Sequence, residues 1–140
     1  MNNTHAELTG SYARTTREIT VRVDPIFLDD ESDPGRGLFF WAYHVVISNN
    51  GEDTVKVVSR YWRITNAQGA LQEVRGEGIV GEQPVLGPGD AFEYTSGTPL
   101  STPSGIMGGS YQVTSSEGGA FDIDIPTFSL DSPYEGRTVN

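Results

Sequence analysis

Apolar and polar residues alternate along this chain in short runs, and glycine or proline separates one run from the next. Ile19, Val21 and Val23 alternate with Thr20 and Arg22, the period-two pattern of a half-buried strand that Pro25 is expected to end. Phe39, Trp41, Tyr43, Val45 and Ile47 share one face of a second strand. Phe40, Ala42, His44 and Val46 share the other, which reads as partly covered, and Asn49-Asn50-Gly51 turns the chain. A third strand over 55–65 places Val58, Trp62 and Ile64 on one parity and ends at Asn66-Ala67-Gln68-Gly69, so a hairpin into a fourth over 71–75 follows. Shorter strands are expected over 83–86, over 91–96 with Phe92 and Tyr94 on one face, and over 110–114. The loop Ser115–Gly119 then leads into a last strand carrying Phe121, Ile123 and Ile125. Seven or eight strands without a helix predict an all-β sandwich of two antiparallel sheets. Residues 1–14 and 134–140 are polar and aperiodic, which predicts a flexible extension and tail around one domain over 15–133.

Composition narrows the function classes. The 140 residues contain no cysteine, which removes disulfides, thiolate zinc sites and a cysteine nucleophile. The first ten residues have neither a basic start nor an apolar run, and no stretch approaches a membrane span, so a cytoplasmic, soluble protein without membrane partners is expected. A net charge of −10 disfavours nucleic acid as a partner. The charge is uneven, however: between Thr54 and Gly76, Lys56, Arg60, Arg63 and Arg75 face only Glu73. Arginine's planar fork suits bidentate capture of carboxylate or phosphate, so an anion site is sought here. The plainer reading is a solvated strand face whose charges pair with acids.

Gly76, Gly78 and Gly81 spell G-x-G-x-x-G, yet Pro84 and Pro88-Gly89 leave no room for the helix that a dinucleotide fingerprint must open. Two readings of this loop remain: a nest of backbone N–H groups that receives an anion beside Arg75, or a bend where glycine permits positive φ. Glu77 and Glu82, within the loop, speak against a phosphate. The run Ser96–Gly105, rich in hydroxyls and stiffened by Pro99 and Pro103, reads as a second loop. Thr98, Ser101, Thr102 and Ser104 there are either recognition groups or partners for their own backbone.

The acidic run Asp29–Asp33 fails the calcium-loop pattern, which would need glycine and glutamate where Pro34 and Phe40 stand, so a solvated loop is expected and no metal site is assigned. His5 and His44 form neither a metal pair nor a triad at any suggestive spacing. No catalytic residues and no cofactor are therefore assigned, and the protein is expected not to be an enzyme.

Ser59–Asn66, Arg75–Pro84, Tyr94–Met107 and Phe121–Pro133 together resemble the bacterial ApaG family, over nearly everything from Ile19 to Pro133. The resemblance implies an immunoglobulin- or fibronectin-III-like sandwich. It also implies association with cobalt resistance and magnesium efflux, and, through similar domains attached to eukaryotic F-box and DNA-polymerase-delta-interacting proteins, a protein-interaction role. Thr98 and Tyr61 stand where relatives often have cysteine and histidine, so neither position is an obligatory metal ligand. The expectation is thus a non-catalytic interaction module with an unknown protein partner, anchored by Arg60 and Arg75 near the two loops. The alternative is a sensor binding pyrophosphate or a nucleotide phosphate, with or without a divalent cation, at Gly76, Gly78 and Gly81. Pairing of two chains as a homodimer through an edge strand is left open.

Overall fold

The computed structural model describes residues 6–8 and 10–134; His5 and the remaining terminal residues lie outside it. All eight expected strands are present and two precede them: β1 (Ala6–Leu8), β2 (Tyr12–Thr16), β3 (Ile19–Leu28), β4 (Phe39–Asn49), β5 (Val55–Asn66), β6 (Leu71–Glu77), β7 (Val85–Leu86), β8 (Ala91–Leu100), β9 (Ser104–Ser115) and β10 (Gly119–Asp131). One sheet runs β3–β4–β8, with β1 and β2 both paired to β3. The other runs β10–β9–β5–β6, with β7 also on β5, and every pairing is antiparallel. No helix among the described residues is long and apolar enough to cross a membrane.

Alternation dictates the core. Every second residue of β4, from Phe39 to Ile47, is buried, as are Ile19, Val21, Val23 and Phe27 of β3. From the facing sheet come Trp62, Ile64, Met107, Tyr111, Val113, Ile123 and Phe128. Trp62 is the hub, with ring centroids 5.0 Å from Tyr43, 6.4 Å from Tyr111 and 6.2 Å from Phe128 in tilted and edge-to-face arrangements.

Several expectations are corrected. Ala6–Leu8 and Tyr12–Arg14, placed in an extension, are strand residues paired to β3, and Tyr134, placed in the tail, packs its ring edge-on against Phe27 and tilted against Phe39. Pro25 does not end β3: it pairs with Tyr43, and on the outer side it falls between the spans covered by β1 and β2, where a missing N–H leaves no ladder bond unmade. The ten-residue loop Ser96–Gly105 shrinks to Ser101–Pro103, because β8 stays paired with β4 through Leu100 and β9 begins at Ser104. The Asn49–Gly51 turn carries the chain from one sheet to the other, since β4 and β5 lie in different sheets.

The two flanks of the sandwich differ. On one, β2 reaches β10 through Thr16 Oγ1, which accepts the Asp124 N–H at 3.1 Å, the Arg14–Asp124 ion pair at 3.2 Å, and the Tyr12 ring on Phe128. On the other, the edge strands β6 and β8 face each other without a hydrogen bond between them among the described residues.

Candidate functional site

That open flank holds a cleft of about 270 Å³, lined by Tyr43, Arg60, Trp62, Gln72, Val74, Ser96, Thr98 and Met107 among others. Arg60 reaches it because β5 is irregular. The pairing of β5 with β9 slips one residue between Val57 and Ser59, so Val55 and Val57 point inward before the bulge, and Trp62 and Ile64 after it. Arg60 falls on this second inward parity. Val58, expected to share the core face, sits at the bulge half-buried and turns its carbonyl to the Gly78 N–H at 2.7 Å and to Gln83 Nε2 at 3.0 Å.

Across the sheet, Arg60 pairs with Tyr111 on one side and Gly76 on the other. Glycine is needed at 76 for room: a Cβ there would lie 2.7 Å from both terminal guanidinium nitrogens. Through that gap Arg60 Nη1 donates to the carbonyls of Glu77 at 3.1 Å and Gly78 at 3.0 Å. Among the described residues no carboxylate pairs with Arg60, and its Nε and Nη2 have no hydrogen-bond partner.

Three tyrosines surround this cation. The Tyr94 and Tyr111 hydroxyls share a short hydrogen bond, and Tyr43 lines the cleft with Ser96. Burial raises all three above the ordinary phenol range, most strongly Tyr94 and Tyr111, while Arg60 pulls each the other way. The phenols therefore stay neutral and the cleft carries the uncompensated charge of Arg60.

The other expected site residues are distributed differently. Gly78, Ile79, Val80, Gly81 and Glu82 form a tight turn rather than a nest. Ile79 and Glu82 exchange N–H to carbonyl bonds of 2.7 and 2.9 Å around Val80 and Gly81, both at positive φ (43° and 84°). The N–H groups of Gly78, Ile79 and Glu82 are thus occupied within the protein, and the loop offers Arg60 its carbonyls. Arg75 lies outside the cleft, its guanidinium 4.1 Å from the Tyr61 ring centroid, and the Tyr61 hydroxyl donates to Glu73 at 2.5 Å. That bond holds the Tyr61 proton and raises its pKa. Thr98 lines the cleft, whereas Ser101, Thr102 and Ser104 join turns together: Thr102 Oγ1 accepts from the Ala67 N–H and donates to the Ser104 carbonyl, and Ser101 Oγ accepts from Asn66. The structure therefore brings Arg60, Gly76 and Thr98 together with Tyr43, Gln72 and Ser96, which the sequence had not singled out.

His44, the one histidine among the described residues, bonds Thr95 Oγ1 at 2.8 Å and faces Glu93 at 3.6 Å on the outer side of its sheet. Asp29–Glu31 and Pro34–Arg36 form single 3₁₀ turns. Among the described residues no group of three or more His, Asp or Glu could hold a metal ion.

The comparisons with known proteins agree on one family. The model of the ApaG domain matches residues 29–115. The chain is 60% identical over 129 residues to Protein ApaG of Paramagnetospirillum magneticum, covering 92% of this chain and 99% of that one. It is 58% identical over 127 residues to Protein ApaG of Rhodospirillum centenum, covering 91% and 97%. Among solved structures it resembles an ApaA protein of Bordetella pertussis with a TM-score of 0.80 and 45% identity, over 86% of this chain and 95% of that one. With the sandwich, the length and the sequence in agreement, this chain belongs to the ApaG domain family.

Proposed function

We propose that the protein is a non-catalytic binding module that takes an anionic group of its partner at Arg60, in the cleft between β6 and β8. One observation carries the reading: a half-buried arginine, fixed through Nη1 by two backbone carbonyls, keeps two nitrogens without a partner among the described residues and no carboxylate beside it. A side-on carboxylate fits such a fork, since Nε and Nη2 present parallel donors. The Ser96 hydroxyl on β8 and the Gln72 amide on β6 supply further polar groups from opposite sides of the cleft, while the Thr98 hydroxyl donates to the Pro99 carbonyl. The role in cobalt resistance and magnesium efflux that the family resemblance implies would then be exercised through this partner.

The pyrophosphate-sensor reading draws on the same arginine but loses its second support, because three amides of the glycine turn already donate within the protein. The test is an amide and Arg Nε NMR titration of the full chain with acetate and with pyrophosphate. Saturable shifts at Arg60, Gly76 and Gly97, abolished in Arg60→Met and retained in Arg75→Ala, are expected. Shifts centred on Gly78–Gly81 that survive Arg60→Met would overturn the assignment.

A further inference from the structure

The Arg60 cleft is one end of a longer groove. A second recess of about 290 Å³ adjoins it along the same flank, lined by Gly37, Leu38, Leu71 and Leu100 among others, and the two share Ile64, Gln72 and Pro99. Its mouth exposes apolar side chains, with Leu71 57% and Leu38 38% accessible. The groove thus runs from a lone cation to an aliphatic patch, between two strands whose outer edges are unpaired among the described residues.

Resting on the function proposed above, we infer that the occupant is an extended peptide segment that adds to the edge of β6, with a carboxylate on Arg60 and an apolar side chain in the Leu38–Leu71–Leu100 recess. Three features select this occupant over a small anion. The groove joins charge capture to apolar burial, and inorganic phosphate or acetate can use only the first. Its length suits a strand: Gly76, beside Arg60, and Leu71, at the recess, are the ends of one stretch of β6, so at roughly 3.4 Å per residue the two subsites lie about 17 Å apart. The edges are also unequal. β8 carries Pro99, which has no N–H to offer an added strand, whereas Leu71–Glu77 contains no proline. Main-chain hydrogen bonds along β6 would give affinity, and the two end subsites would set register and choice of sequence. The carboxylate could belong to a chain terminus or to an Asp or Glu side chain, and the two differ only in whether the peptide continues beyond it.

The test screens the full chain against synthetic heptapeptide libraries, randomised at every position, in two forms: one with a free C-terminal carboxylate and one amidated. The expected enrichment is an aliphatic or aromatic residue four or six positions before a carboxylate, the terminal one in the first library or that of an Asp or Glu in the second, so that both groups point into the groove. Enrichment only in the free-carboxylate library assigns a chain terminus, and enrichment in both assigns the carboxylate group itself. Selected peptides should broaden or shift the amides of Leu71–Glu77, and should lose affinity about tenfold or more in Arg60→Met and in Leu71→Asp, the latter on an exposed side chain. Selected peptides that lack this spacing, that bind Arg60→Met unchanged, or that shift β8 instead of β6 would overturn the inference, as would self-association of the chain through β6 in sedimentation. If acetate still titrates Arg60 while no peptide is enriched, the extended-peptide inference falls and the anion site stands; if acetate fails as well, both fall.

Discussion

Replacing Gly76 by alanine isolates the one contact on which the candidate site depends. The new Cβ would stand 2.7–2.8 Å from the guanidinium of Arg60, well inside any tolerated contact. The obstacle is the far end of a flexible side chain, so the arginine swings away and the backbone stays. The substitution removes the pair of bonds from Nη1 to the Glu77 and Gly78 carbonyls. For a partly exposed charged donor these contribute about 1–2 kcal/mol together. Alanine in a strand restricts the unfolded chain and returns about 0.5 kcal/mol. The net expectation is a loss of about 1 kcal/mol, a fall in Tm of about 3–4 °C for a domain of this size. In an Arg60→Ala background the clash is absent, and the same substitution should stabilise by about 0.5 kcal/mol. The double-mutant cycle therefore predicts a coupling of about 1–2 kcal/mol between positions 60 and 76. Urea unfolding followed by the fluorescence of the buried Trp41 and Trp62 reads all four corners. Equal effects of Gly76→Ala in both backgrounds would refute the claim that this glycine exists to seat the arginine.

Packing and burial give two further expected outcomes. At Gly109 an added Cβ would lie 1.9 Å from the backbone carbonyl oxygen of Tyr61, in the middle of the β5–β9 ladder, where neither neighbour can swing aside. Gly109→Ala should cost more than about 4 kcal/mol and lower Tm by more than about 10 °C in a circular-dichroism melt, and a variant within about 3 °C of the parent would show that the two strands can part there. The raised phenols give a pH dependence with a definite sign. Tyr94 and Tyr111 keep their protons in the fold while the unfolded chain releases them near pH 10, so stability is complete below pH 10 and declines above it, by up to about 1.4 kcal/mol per pH unit for each residue. Urea midpoints between pH 8 and 11 should show this decline and Tyr94→Phe should reduce it; a midpoint that stays level above pH 10 contradicts it.

How far the sequence reveals this site depends on which property of a residue matters. The alternation of β4 is decisive because one face meets the core along its whole length, and that face contains every residue read there. Ser96–Leu100 reads as a loop because serine, threonine, glycine and proline favour loops locally, while the continuous ladder to β4 overrides that preference. Ala6–Leu8 and Tyr12–Thr16 have no apolar rhythm of their own and become strands only because β3 offers them an edge. The G-x-G-x-x-G string is legible as a bend, from glycine chemistry alone, and Gly78 and Gly81 serve as one. Gly76 serves a different purpose, and no rule of turns could show it. Arg60 does carry a signal, since it shares parity with Trp62 and Ile64, and an arginine on an apolar face needs a reason. The reason lies in register: the bulge at Val58 keeps that parity inward, and the β5–β6 pairing sets the one residue without a side chain directly beside the guanidinium. An inward cation and the gap that admits it are both written in the chain, but only strand pairing makes them neighbours, and the same pairing leaves β6 with a free edge beside the charge. The binding reading and the peptide reading therefore rest on one geometric fact, the position of Arg60 against Gly76 at an open flank, and the double-mutant cycle tests that fact before any ligand is in hand.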